Sequence, residues 1–114
     1  MHAWESVQKA VDYIEDNING EITLGKLVEV ANLSYFNFHR LFTRLVKKPV
    51  QEYIKLCRLA RSVDCLKNRE SRIVDVALDY GFGSHEKYTR AFKDAYRFTP
   101  EAYGHVPIKS LNYH

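Results

Sequence analysis

Cysteine is scarce in this 114-residue chain, and the two present, Cys57 and Cys65, form no CxxC pair. On the helix inferred below they stand eight residues apart, about 12 Å along the axis and beyond disulfide reach. They are read as buried thiols of a cytosolic protein. No run of about 18 apolar residues occurs, so no membrane-spanning helix is expected. The polar, Trp4-anchored stretch after Met1 lacks the build of a signal peptide. The five histidines, His2, His39, His85, His105 and His114, show no metal-ligand spacing. A phosphate-binding glycine loop and a nucleophile elbow are both missing. These absences argue against an enzyme, a metal and a cofactor, and no set of residues suggests a small-molecule pocket.

What is there is globular: 46% hydrophobic and 27% charged residues, with Phe 6, Tyr 8 and Trp 1, too aromatic for a disordered chain. The net charge of +3 is unevenly spread. Residues 1–30 hold two basic and six acidic side chains, whereas residues 31–114 hold fifteen basic and eight acidic. A basic body with an acidic N-terminal cover suits a polyanionic partner or, equally, a solvated surface.

Helical periodicity runs through the whole chain. Trp4, Val7, Val11, Ile14 and Ile18 define a first amphipathic helix, which Asn19 and Gly20 stop. Thr23 can cap a short second helix bearing Leu24, Leu27 and Val28, and Asn32 tolerates the left-handed geometry of a turn. Ser34 can cap a third helix from Tyr35 that places Phe38, Leu41, Phe42 and Leu45 inward. After Lys47, Lys48 and Pro49, a fourth helix from about Val50 to Lys67 carries Ile54, Leu59, Val63 and Leu66. Next come a short helix capped by Ser71 with Ile73, Val76 and Ala77, a turn at Gly81, and a longer helix capped by Ser84 with Tyr88, Ala91, Phe92 and Ala95 inward. Thr99 and Pro100 open a closing helix through about His105. The expected class is all-α, with seven helices forming two helix-turn-helix, homeodomain-like lobes joined by a long central helix. The segments are 1–48, first lobe; 49–68, linker helix; 69–106, second lobe; and 107–114, tail or start of a linker.

The second half repeats the first. SYFNFHRLF from Ser34 superposes on SHEKYTRAF from Ser84 at an offset of fifty, with serine, arginine and final phenylalanine coinciding and Phe38 meeting Tyr88. Upstream the offset is forty-nine, pairing Leu24 with Ile73, Val28 with Ala77, Asn32 with Gly81 and Leu33 with Phe82, so the second turn has one added residue. Short helix, turn and longer capped helix make a helix-turn-helix unit, whose second helix can enter a major groove. Inert helical bundles share that outline. Each candidate reading helix, however, has a polar face with an arginine and a hydroxyl or imidazole, inside the basic part of the chain.

At these residues the sequence resembles the DNA-binding domain of the AraC/XylS family of bacterial transcription regulators, over residues 4–105. The stretch IVDVALDYGFGSHEKYTRAFKDAYRFTPEAY carries the likeness, through Ile73, Ala77, Gly81, Phe82, Ser84, Arg90, Phe92, Lys93, Thr99, Pro100 and Tyr103. The resemblance implies helices three and six in successive major grooves on one side of double-stranded DNA. It also implies transcription regulation, expected to be activation, by a cytoplasmic protein found on the nucleoid when bound. RNA polymerase is an expected partner, with the acidic first helix facing either it or a companion domain, and an effector domain is expected beyond Tyr113 and His114, unless the chain is a complete small activator. Lys47 and Arg97 stand where the family usually has glycine, Gly104 where it has arginine, and Val28 where it has alanine. Side chains at the two glycine positions add charge but strain a left-handed backbone.

Carried across, the base-reading residues are Phe36, His39 and Arg40 on helix three and His85, Glu86, Thr89 and Arg90 on helix six. Helical geometry independently sets Phe36, His39, Arg40 and Thr43 on the side away from the core. Arg40 and Arg90 can take guanine O6 and N7, or else bridge to phosphate or brace the lobe. Phe36 packs on a thymine methyl or serves as a half-buried staple. His39 and His85 read the groove or are ordinary surface histidines. Glu86 accepts from cytosine N4 or complements the helix dipole. Phosphate contacts are expected from the helix starts at Ser34 and Ser84 and from Arg44, Lys47, Lys48, Lys93 and Arg97, with Arg72 a further candidate. An adaptor that binds protein alone is the rival reading.

Overall fold

The computed structural model describes residues 3–67 and 72–103. Among them there are seven helices and no strand: α1(Ala3–Asp16), α2(Leu24–Ala31), α3(Tyr35–Val46), α4(Val50–Leu66), α5(Ile73–Asp79), α6(His85–Tyr96) and α7(Pro100–Tyr103). None is long and apolar enough to cross a membrane. The chain divides into two compact units, Met1–Arg58 and Leu59–His114, so the boundary falls inside the 17-residue α4.

In the first unit α1 packs on α2 and α3. As the periodicity predicts, Val7, Ile14 and, beyond the helix, Ile18 are buried and Val11 packs against them, joined by Ser6 and Ala10; Trp4 alone of the expected stripe is exposed, at 59%. Leu27, Val28 and Ala31 of α2, Phe38 and Phe42 of α3, and Val50 and Ile54 of α4 complete this core. The Arg58 guanidinium donates to the carbonyls of Ile18, at 3.2 Å, and Gly20, at 2.9 Å. Those bonds fasten the turn after α1 to α4 and satisfy two carbonyls of that turn.

The second unit centres on aromatic rings. Phe92 meets Tyr88, Tyr96, Phe98 and Tyr103 at centroid distances of 5.7, 4.8, 5.8 and 6.3 Å. Ser62 on α4 donates its only hydroxyl proton to the Leu59 carbonyl at 2.7 Å and lies 2.7 Å from the Tyr88 hydroxyl. Tyr88 is therefore the donor to Ser62. Both side chains are buried. Burial pushes the Tyr88 phenol up to about 12, and burial followed by the Cys57 hydrogen bond does the same at Tyr53. An unfolded tyrosine ionises near pH 10 while the native Tyr88 keeps its proton, so stability is intact below pH 10 and falls as pH rises from 10 to 12. The loss expected from Tyr88 is roughly 2 to 3 kcal/mol over that window. Tyr88→Phe should flatten the alkaline slope in denaturant titrations followed by circular dichroism; an unchanged slope contradicts the assignment.

Some expectations need correction. Leu45 and Ala95 are exposed, because the buried ridge follows four-residue steps, Phe38–Phe42–Val46 and Tyr88–Phe92–Tyr96, so that Val46 and Tyr96 take the inner place. Cys57 and Cys65 are free but only half-buried; Cys65 Sγ lies 3.2 Å from the Tyr80 hydroxyl. The cap position of α5 falls on Arg72, without a side-chain cap bond, while Ser71 lies outside the described residues. The closing helix is described as far as Tyr103; His105, the tail and Gly104 lie outside the described residues.

Candidate nucleic-acid interface

Both helix-turn-helix units are built by the same local chemistry. In the first turn Asn32 takes φ 57° and ψ 46°. Its N–H donates to the Glu29 carbonyl at 3.1 Å, and the Leu33 N–H to the Val28 carbonyl at 3.2 Å. In the second turn Gly81, at φ 81°, donates to Leu78 at 3.2 Å, and Phe82 to Ala77 at 2.9 Å. These bonds satisfy the last carbonyls of the short helix in each unit. The residue added in the second turn is Gly83, whose φ of 84° suits glycine. Each following helix is then capped alike. Ser34 Oγ accepts from the Asn37 N–H, and Ser84 Oγ from the Lys87 N–H, both at 3.1 Å. The caps satisfy the third amide of α3 and of α6; the two before it have no acceptor within the helix and face an anion approaching the N-terminus.

The far ends also match. Lys47 and Arg97 both sit at φ 71°, donating to Thr43 at 2.9 Å and Lys93 at 2.8 Å. The left-handed backbone foreseen at these usual glycine positions is therefore present with side chains attached.

On α3, Phe36 is 73% exposed and no staple. The Arg40 guanidinium stands 5.8 Å from its ring centroid and 3.4 Å from Asn37 Oδ1. His39, Arg44 and Lys48 are exposed on the same lobe. This face is cationic and aromatic, and α3 itself contains no acidic residue.

On α6, His85, Glu86, Thr89, Arg90 and Lys93 line one open, shallow surface, which brings together all four base-reading candidates of this lobe. Its charges are partly self-compensated. Arg90 Nη2 lies 3.6 Å from Glu86 Oε1, so Glu86 has a partner beyond the helix dipole. Glu101 of α7, which sequence spacing did not single out, reaches His85 Nε2 at 2.5 Å and accepts from Thr89 Oγ1 at 3.4 Å. Burial opposes ionisation of Glu101, yet hydrogen bonds from His85, its own backbone amide and Thr99 hold its carboxyl below the ordinary value. Thr99 also caps α7 through the Ala102 N–H at 3.1 Å.

Two lobes, each with a short helix, a locked turn and a capped second helix with exposed polar side chains, define a tandem helix-turn-helix protein. The helix-turn-helix domain family matches residues 27–105, and the chain belongs to its AraC-type branch of DNA-binding domains. It is 40% identical over 103 residues to the uncharacterized HTH-type transcriptional regulator YbfP of Bacillus subtilis, covering 90% of this chain and 35% of that protein. An AraC-type regulator structure from Chromobacterium violaceum superposes with a TM-score of 0.83 at 22% identity, covering 90% of this chain and 91% of that one. The DNA-binding domain of AdpA, solved in complex with a target DNA, superposes with a TM-score of 0.80 at 19% identity, covering 88% and 90%. The chain spans about a third of the length of the curated relatives it matches first. Family and fold are those of DNA-binding transcription regulators rather than enzymes.

Proposed function

We propose that this chain binds duplex DNA sequence-specifically and regulates transcription, with α3 and α6 entering successive major grooves. The observation that carries the reading is positional. Arg40 and Arg90 each stand six residues after a capping serine, on exposed faces of helices whose turns and caps match bond for bond. Phe36, His39 and Arg40 read bases from α3; His85, Glu86, Thr89 and Arg90 read them from α6. Ser34, Ser84, Arg44, Lys47, Lys48, Lys93 and Arg97 hold phosphates and fix the register. Activation is the direction proposed, with RNA polymerase on the acidic face of α1 and an effector domain elsewhere in a longer protein as partners.

Selection from randomised duplexes tests the reading. The wild-type chain should enrich two short motifs about one helical turn apart. Arg40→Ala and Arg90→Ala should each erase one motif, at a cost of about 1 to 3 kcal/mol. The larger loss is expected at Arg40, because Arg90 already shares its charge with Glu86. Glu86→Gln should alter the second motif only. Binding without base preference would favour the protein adaptor.

A further inference from the structure

We propose that Glu101 is a specificity-positioning residue of the second lobe, which turns His85 and Thr89 into hydrogen-bond acceptors toward DNA. This rests on the DNA-reading function proposed above. An ionised carboxylate only accepts hydrogen bonds. The His85 Nε2 that lies 2.5 Å from Glu101 Oε1 must therefore carry a proton. In the neutral ring this leaves Nδ1 unprotonated, an acceptor. The same oxygen receives the Thr89 hydroxyl proton at 3.4 Å, which leaves the threonine lone pairs as its remaining hydrogen-bonding capacity.

Thr89, and His85 in its neutral form, are thereby set to one polarity by a residue on a different helix. In the major groove an acceptor pairs with the exocyclic amino group of cytosine or adenine and is repelled by the O6 of guanine or the O4 of thymine. The carboxylate is also placed to do this without acting as a bare charge beside phosphate, since His85 and Thr89 both bond it. Glu86, Arg90 and Lys93 complete the charged and polar surface around His85 on α6; of these, Arg90 Nη2 lies 3.6 Å from Glu86 Oε1 in an exposed pair.

The test uses the full chain and three proteins: wild type, Glu101→Gln and Glu101→Ala. The glutamine keeps a carbonyl that can accept from Nε2–H and lacks the charge; alanine lacks both. Long-range 1H–15N spectra of the DNA-free chain, with the His85 ring assigned by its loss in His85→Ala, should show the Nε2–H form in wild type and glutamine and a tautomer mixture in alanine. Selection from randomised duplexes should then show a preference for cytosine or adenine in the second motif. That preference should fall about fivefold in Glu101→Ala and survive in Glu101→Gln. A wild-type ring in the Nδ1–H form, or an unchanged preference in Glu101→Ala, overturns the role of Glu101 and leaves DNA reading standing. Uniformly tighter binding by both variants, with base preference intact, assigns Glu101 to plain repulsion and likewise overturns it. A wild-type chain with no base preference at all removes the function on which the inference rests, whatever the ring spectra show.

Discussion

Raising salt from 50 to 200 mM is expected to weaken DNA binding by about three orders of magnitude. Arg44, Lys47, Lys48, Lys93 and Arg97 are exposed on and just after α3 and α6, and the starts of α3 and α6 add amides that suit phosphate. Neutralising about six phosphates gives a log–log slope near −5, and a fourfold rise in salt then costs about 10³ in affinity. Lys47 and Arg97 make the slope divisible. Both hold φ 71°, a left-handed conformation costing a side-chain-bearing residue roughly 1 to 2 kcal/mol. Lys47→Gly and Arg97→Gly should each reduce the magnitude of the slope by about one. Each should also stabilise the fold by up to about 1 kcal/mol, because strain relief is partly offset by the greater freedom of glycine in the unfolded chain. Fluorescence anisotropy across a salt series, paired with thermal melts of the same variants, measures both. A flat slope in the wild type would contradict phosphate-anchored binding; unchanged slopes in the glycine variants would move those contacts to other cations.

The legible parts of this sequence are those where chemistry is local. Ser34 and Ser84 cap within three residues, Asn32 and Gly81 turn the chain within one, and the fifty-residue offset exposes the duplication without any knowledge of three-dimensional contacts. A stripe of apolar residues, by contrast, fixes a face and not its limits. Trp4 shares the period of Val7 and Val11, yet it is exposed. Leu45 and Ala95 share the three-residue step from Phe42 and Phe92, but α3 and α6 bury the four-residue ridge instead. The misplacement is the same in both lobes because the repeat carries the same pattern. Contacts between distant positions were invisible: Arg58 to the carbonyls after α1, Ser62 to Tyr88, and Glu101 to His85. Glu101 is also the contact that most alters the candidate site, since it takes up hydrogen-bonding capacity of both His85 and Thr89. A carboxylate two residues after Thr99 is an ordinary first-turn residue of a capped helix, and only the packed lobe puts it against α6.

Phe92→Ala is expected to cost about 3 to 5 kcal/mol, the usual range for emptying a buried aromatic site. Phe92 has no exposed surface, and its ring is the common neighbour of Tyr88, Tyr96, Phe98 and Tyr103. Removing it opens a space whose walls come from α6, α7 and the segment between them, so that no single side-chain rotation closes it. A unit of this size has only a few kcal/mol of stability in total, and the substitution therefore removes most of what holds α6 in place. Phe42 is its repeat partner in the first unit, where it meets Phe38 at 5.5 Å and Tyr53 at 5.6 Å. Fewer aromatic partners predict a smaller cost for Phe42→Ala. Amide hydrogen exchange on the whole chain distinguishes the two, since Phe92→Ala should deprotect α6 while α3 keeps its protection, and Phe42→Ala should do the reverse. The functional consequence follows from the tandem design. On the proposed function, a chain whose second lobe no longer folds keeps only α3 for reading, so it should retain weak binding to the motif assigned to Arg40 and lose the one assigned to Arg90. Equal loss of both motifs would mean that neither lobe engages DNA without the other.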